Sequence, residues 1–108
     1  MQRVTTAFLK VLAYFMGFDE RDRGVCGIDI VKDTDLVSGT VYPILNRMEE
    51  TGWLESTEED IDPKKEGRPK RRFYKLTVNG VTHGYKLLTE YIPGAKGYLD
   101  WKSSENRI

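Results

Sequence analysis

The sequence predicts a mostly helical α+β domain: three helices, then a two-stranded β-hairpin, then a further C-terminal helix. Three stretches carry that reading. In Ser38–Leu54 (SGTVYPILNRMEETGWL), Val41, Ile44, Leu45 and Met48 recur at i, i+3, i+4 and i+7, one apolar stripe of a helix. Directly after it, Trp53–Thr57 and Arg72–Leu76 read as strands joined by a long polar loop. In the second strand Phe73 and Lys75 alternate with Tyr74 and Leu76, as a half-buried hairpin requires. The loop ends in a basic run, Gly67-Arg68-Pro69-Lys70-Arg71-Arg72. A helix handed straight to a hairpin with a basic tip is the sequence form of a winged helix-turn-helix.

The elements follow in order. Thr5 to Met16 forms the first helix, with Val4, Ala7, Phe8, Val11, Leu12 and Phe15 on a broad apolar face and Gly17 ending it. Leu9, Ala13 and Met16 widen that arc beyond one core contact, so the helix is either covered on two sides within the chain or shared with a second subunit. Phe18 to Gly24 is a charged connector. The second helix is short, about Gly27 to Lys32, with Ile28 and Val31 expected to turn inward. Asp33–Val37 then delivers the chain to Ser38, a natural N-cap for the third helix, because its hydroxyl can accept from unpaired first-turn amides. Pro43 lies past the position where proline is free, so an irregular start between Ser38 and Val41 is expected. Gly52 is the stop signal. After the hairpin, Thr77 caps a helix running to Tyr91, with Val81, Tyr85, Leu88 and Ile92 at helical spacing. Gly80 and Gly84 each weaken it by roughly 1 kcal/mol relative to alanine, so this helix leans on packing. Pro93-Gly94 breaks it, Ala95 to Lys102 forms a last short turn, and Ser103 to Ile108 frays.

A chain of 108 residues makes one small core. Its 17 Lys and Arg balance 17 Asp and Glu, a neutral sum that by itself argues against a nucleic-acid partner. The charges are segregated, however. Lys64, Lys65, Arg68, Lys70, Arg71, Arg72 and Lys75 form a basic block opposed locally by Glu66, just downstream of Glu55, Glu58, Glu59, Asp60 and Asp62. Steering depends on footprint more than on the sum. The acidic residues either point away from a bound phosphate backbone or fold back onto the cations. Cys26 is the only cysteine, which excludes an intrachain disulfide and fits a reducing compartment. It is either a small buried side chain or a redox-sensing thiol. No run of 18 apolar residues and no basic-then-apolar leader occurs, so a soluble, cytoplasmic protein without membrane contact is expected. No paired carboxylates, nucleophile–base set or glycine-rich phosphate loop is present, which argues against an enzyme. His83 stands alone on a helical surface position, no metal-ligand spacing occurs, and no cofactor is expected.

The pieces SGTVYPILNRMEETGWL and GRPKRRFYKLTVNG resemble the PadR family of winged-helix transcriptional regulators. Its pattern runs roughly G-T-L-Y-P-x-L-x-R-L-E-x-x-G, then G-R-P-R-K-Y-Y-x-L-T-x-x-G. The resemblance spans Gly39 to Gly80, and Gly27 matches a glycine the family has near that point. The link between the second and third helices is shorter than in many relatives, which bears on their relative pose. The resemblance implies DNA contact by Tyr42 and Arg47. It also implies dimerisation through N- and C-terminal helices, and in some members an aromatic effector. The short tail is similar to that of compact members. Residues 1–78 are therefore assigned to the DNA-binding domain and 79–108 to a C-terminal helical dimerisation segment.

The candidate recognition residues are Ser38, Thr40, Tyr42, Asn46 and Arg47. In a major groove Arg can bond guanine bidentately, Asn can bond adenine, and Tyr can reach a phosphate or a thymine methyl. The competing reading for Arg47 is a helix-surface pair with Glu50. The candidate wing residues are Lys65, Arg68, Lys70, Arg71 and Arg72, placed to run along a phosphate backbone; the competing reading is a solvated loop. Phe8, Leu12, Phe15, Tyr85, Leu88, Tyr91 and Trp101 are either an effector pocket or dimer interface, or plain core. The function expected is a dimeric repressor of transcription on double-stranded DNA with a pseudo-palindromic operator, with a small aromatic effector as a further partner. The alternatives are a winged-helix module for protein contact and a DNA-binding accessory factor of a mobile element.

Overall fold

The structure, a computed structural model, describes residues 4–17, 24–92 and 94. Most of the charged connector, Pro93, the turn expected over Ala95–Lys102 and the tail 103–108 lie outside the described residues. The described elements are α1 (Thr6–Met16), β1 (Val25–Cys26), α2 (Gly27–Thr34), α3 (Ser38–Glu50), β2 (Leu54–Glu58), α4 (Pro63–Glu66), β3 (Arg72–Leu76) and α5 (Val78–Tyr91). The strands form one antiparallel sheet in the order β1-β3-β2. The winged helix-turn-helix is therefore present, its hairpin widened to three strands by β1. Leu54 faces Leu76 and Glu58 faces Arg72 across the hairpin, while Val25 faces Tyr74 on the other side of β3.

Thr5 caps α1 by accepting from the Phe8 N–H at 3.1 Å. Phe8, Val11, Leu12 and Phe15, one face at helical spacing, are all buried. Gly17 closes the helix in a right-handed conformation with φ −92°, so the stop needs no left-handed residue. In α2 the inward-facing pattern differs from the expectation. Ile30 is fully buried, whereas Ile28 is 49% exposed. The cause is β1: pairing with β3 brings the chain into α2 already in register, and the inward phase falls on Gly27, Ile30 and Val31. Tyr14 of α1 donates to Asp33 of α2 at 2.8 Å, and burial together with this bond pushes the phenol pKa well above its usual value.

The N-cap of α3 is Val37, and Ser38 is the first helical residue. The Val37 carbonyl accepts from both Thr40 (3.0 Å) and Val41 (3.1 Å), a tight first turn that needs no hydroxyl cap. Pro43 sits inside the helix without breaking it. It has no N–H for the Gly39 carbonyl one turn back, but Val41, Ile44, Leu45 and Met48 are 0–3% exposed and anchor the helix in the core. The C-terminus is a Schellman turn: Gly52, at φ +82°, donates to the Glu49 carbonyl at 3.0 Å, and Trp53 donates to that of Met48 at 2.8 Å. The polar loop of the wing contains α4, which the hydrophobic pattern does not reveal. Asp62 accepts from the Lys64 N–H at 3.0 Å, Pro63 opens the turn, and Gly67 closes it at φ +68°.

Thr77 caps α5 by accepting from Gly80 N–H at 3.0 Å. Leu88 is buried and Tyr85 packs on the core, but Val81 and Ile92 remain 47% and 37% exposed, so half of the expected stripe faces out. The two glycines have a packing reason. A Cβ on Gly80 would overlap the Trp53 carbonyl, and one on Gly84 would come within 3.0 Å of Leu12 Cδ1. Trp53 lies 5.9 Å from the Phe8 ring and stacks parallel on His83 at 5.6 Å, so exposed His83 covers an aromatic side chain.

Helix propensity predicts that Gly80→Ala stabilises α5; the packing predicts the reverse. We expect Gly80→Ala to cost about 1–3 kcal/mol, each kcal/mol lowering Tm by about 4–8 °C. Gly84→Ala should cost less, because Leu12 is a side chain and can shift. Gly39→Ala, with nothing within 4 Å of its Cβ, should leave Tm unchanged or raise it. Thermal unfolding of the three variants checks the order.

Candidate nucleic-acid interface

The outer face of α3 exposes Ser38, Tyr42, Asn46 and Arg47, with Thr40 half-buried. No ion pair joins Arg47 to Glu50, so the helix-surface pairing is not made. The ring of Tyr42, 39% exposed, lies over the start of α2. A Cβ on Gly27 would sit 2.7 Å from its Cε1, so any side chain at this position would displace the ring from where it lies.

Tyr42 and the wing meet in a cleft of about 630 Å³. Cys26, Gly27, Ile28, Tyr42 and Tyr74 line one part of it, and Arg68, Pro69, Lys70, Arg71 and Arg72 line the other. Four of the five candidate wing residues and one candidate of α3 thus share a single concavity. Ser38, Thr40, Asn46, Arg47 and Lys65 are not among its lining residues. Gly27 and Ile28 join the site without any signal in the hydrophobic pattern, because β1 places them there. Cys26 is a free, buried thiol.

The acidic stretch folds back onto the cations. Glu59 takes Arg68 in a bidentate pair, 2.7 Å from Nη1 and 3.0 Å from Nη2, and also accepts from the Arg71 backbone N–H at 3.2 Å. Glu58 lies 3.7 Å from Lys70 Nζ and 3.6 Å from Arg72 Nη2. Of the candidate recognition and wing residues, Arg47, Lys65 and Arg71 are the cations that make no ion pair among the described residues. A second cleft of about 430 Å³ is lined by Glu55, Thr57, Glu58, Glu59, Asp60, Phe73 and Lys75, so the hairpin also has an acidic groove.

Phe8, Leu12, Phe15 and Leu88 are at most 2% exposed within the core, Tyr85 packs against it, and Tyr91 is half exposed. Neither cleft includes any of them. Trp101 lies outside the described residues. Among the described residues no group of three or more His, Cys, Asp or Glu is placed to hold a metal ion, and no helix is long and apolar enough to cross a membrane.

The model of the transcriptional regulator PadR-like family matches residues 28–84. No curated protein matches the sequence. Among solved structures, a Streptococcus mutans protein is similar at 25% identity and a TM-score of 0.58, covering 100% of this chain and 97% of its own. A PadR-like transcription factor from Bacteroides fragilis is 20% identical with a TM-score of 0.62, covering 78% of each chain. The MepR–DNA complex of S. aureus is 17% identical with a TM-score of 0.60, covering 97% of this chain and 67% of the other.

The Glu59 clamp predicts a pH dependence. The Arg68 guanidinium and then the Arg71 N–H hold the Glu59 carboxyl down to about 2, against the opposing effect of partial desolvation. A folded-state pKa below the unfolded one contributes stability that is complete above the ordinary carboxyl range and lost as pH falls toward 2. Glu59→Gln should therefore lower Tm at pH 6, with the gap to wild type narrowing between pH about 4.5 and 2. Thermal unfolding across that range checks this; a gap independent of pH would contradict it.

Proposed function

The chain belongs to the PadR-like family of transcriptional regulators, and on that premise we propose that it is a dimeric repressor reading a pseudo-palindromic operator with α3 and the wing. The members of this family are DNA-binding regulators, not enzymes. The observation that carries the reading is the convergence of Tyr42 with Arg68, Lys70, Arg71 and Arg72 on one cleft. A major groove admits a helix, and α3 presents the side chains that discriminate bases: Arg47 toward guanine, Asn46 toward adenine, Tyr42 toward a phosphate or thymine methyl. Lys65 and Arg71, which make no ion pair among the described residues, supply backbone contacts that release counterions. DNA in the complex with the S. aureus neighbour supports this choice of partner.

Residues 79–108 complete the reading as the dimerisation segment, with Tyr91 and Ile92 exposed at the end of α5 as its apolar contacts. Two-fold symmetry then sets half-sites about one helical turn, or a multiple of it, apart. Regulation by a small aromatic compound at the subunit interface belongs to the same reading, with Tyr85 and Tyr91 as its side chains. The site of action is the cytoplasm. A protein-contact role has one observation in its favour, the pairing of Arg68, Lys70 and Arg72 with carboxylates.

Fluorescence anisotropy with duplex DNA from upstream of the protein's own gene, beside a shuffled duplex, separates the two. Tight, salt-sensitive binding to the native duplex is expected. Arg71→Ala should weaken both duplexes alike and reduce the log–log salt slope by about 1. Arg47→Ala should cost about 1–3 kcal/mol on the native duplex alone. Equal, weak binding of wild type to both would overturn the repressor reading in favour of protein contact.

A further inference from the structure

We infer that Ser56 positions the wing against the recognition helix through a chain Glu49–Ser56–Arg72–Glu58 of two hydrogen bonds and one ion pair, and that Arg72 works inside this chain and not at a phosphate. The inference rests on the DNA-binding reading above. Ser56 Oγ donates to the carboxylate of Glu49 in the last turn of α3 and accepts from Arg72 Nη1 at 3.0 Å. Arg72 Nη2 then lies 3.6 Å from Glu58 Oε2. Three elements, α3, β2 and β3, are tied by one small side chain.

The chemistry needs a hydroxyl there. Glu49 sits at the negative end of the α3 dipole, where a carboxylate is disfavoured unless a donor meets it. A hydroxyl is both donor and acceptor, so it can give to Glu49 while taking from Arg72; alanine can do neither and threonine can do both. The strand register brings this about. Ser56 faces Tyr74, and Arg72, two residues from Tyr74 along β3, faces Glu58, so the arginine spans back across the strand pair to Ser56. The wing's angle to α3 is held by the turn Thr51–Trp53, by Leu54 and Tyr74 in the core they share with α3, and, at the exposed end of the helix, by this polar tie. That angle matters because base reading by α3 and phosphate contact by Arg71 must occur together on one duplex. Arg72 and Glu58 are each about half exposed, so the chain adds little to global stability, and its effect on recognition is separable from folding.

The test uses the full chain and the duplex that the wild-type protein enriches from a random-sequence pool, beside a shuffled duplex, in an anisotropy salt series. Ser56→Ala should lower the ratio of selected to shuffled affinity about tenfold while leaving shuffled binding, its salt slope and Tm nearly unchanged. Ser56→Thr should restore the ratio. Arg72→Ala should match Ser56→Ala, and the double variant should be no worse than either, as expected for one shared chain. An unchanged ratio in Ser56→Ala, or a salt slope reduced by about one on both duplexes in Arg72→Ala, would overturn the inference. A wild-type protein that enriches no duplex would overturn the DNA-binding reading first, before any variant is made, and the inference with it.

Discussion

Trp53 is the residue on which the rest of the structure closes. Its N–H ends α3 by donating to Met48, and its carbonyl accepts from Thr77 at the head of α5. Its ring lies between Phe8 of α1 and His83 of α5. The close approach of α5 to that carbonyl is possible because residue 80 has no Cβ. One residue thus ties α3, the start of the hairpin and the two outer helices, with backbone bonds fixing positions and aromatic area excluding water. A glycine that looks costly by helix propensity is, at Gly80, the condition for this junction, and Gly84 plays the same part against Leu12. The weakness of α5 as an isolated helix and its tight seating have one origin.

The neutral net charge takes on a local meaning at the wing. A basic loop of this density repels itself unless counter-charge is close. Glu59 shapes the loop by gripping Arg68 at both nitrogens and the Arg71 amide, and its lowered pKa is the electrostatic record of that grip. Glu58, at longer distances from Lys70 and Arg72, is a looser counter-ion. The acidic stretch upstream is therefore part of the wing's architecture, and Arg71, next to the start of β3, makes no side-chain ion pair among the described residues.

Much of this fold is legible in the sequence because local signals and core demand agree. The stripe Val41–Met48, the Gly52 stop, the Thr77 cap and a strand at Arg72–Leu76 each appear in the structure, but Phe73 and Tyr74, on opposite faces of that strand, are both buried, so the expected half-buried alternation does not. The cap of α3 falls one residue before the expected serine: a serine ahead of an apolar stripe outranks a valine in propensity, while the actual first turn, from Val37, is satisfied by backbone alone. The turn α4 had its signal in Asp62-Pro63 and Gly67, but without an apolar face a short capped turn is masked by the charge around it. The strand β1 had none. Two residues show no alternation, and their pairing is decided by β3, nearly fifty residues away. The same long-range pairing inverted the expectation for Ile28.

That pairing is also what gives the candidate interface its shape. Because β1 is zipped to β3, α2 starts at Gly27 directly beside the sheet, and its first turn lines the cleft with Ile28 and the Gly27 backbone. A longer residue at 27 would push against the Tyr42 ring and so against α3, whose other face is locked into the core. With no side chain at 27 the ring keeps its place beside the cleft, while α3 is held at one end by the Schellman turn and along its length by four buried side chains. The exposed edge of Tyr42 is consequently directed into the same space as Arg71 and Lys70. Helix α3 and the basic wing are brought to one surface by a two-residue strand and a missing Cβ, features that carry little weight in the sequence and set the geometry of the candidate site.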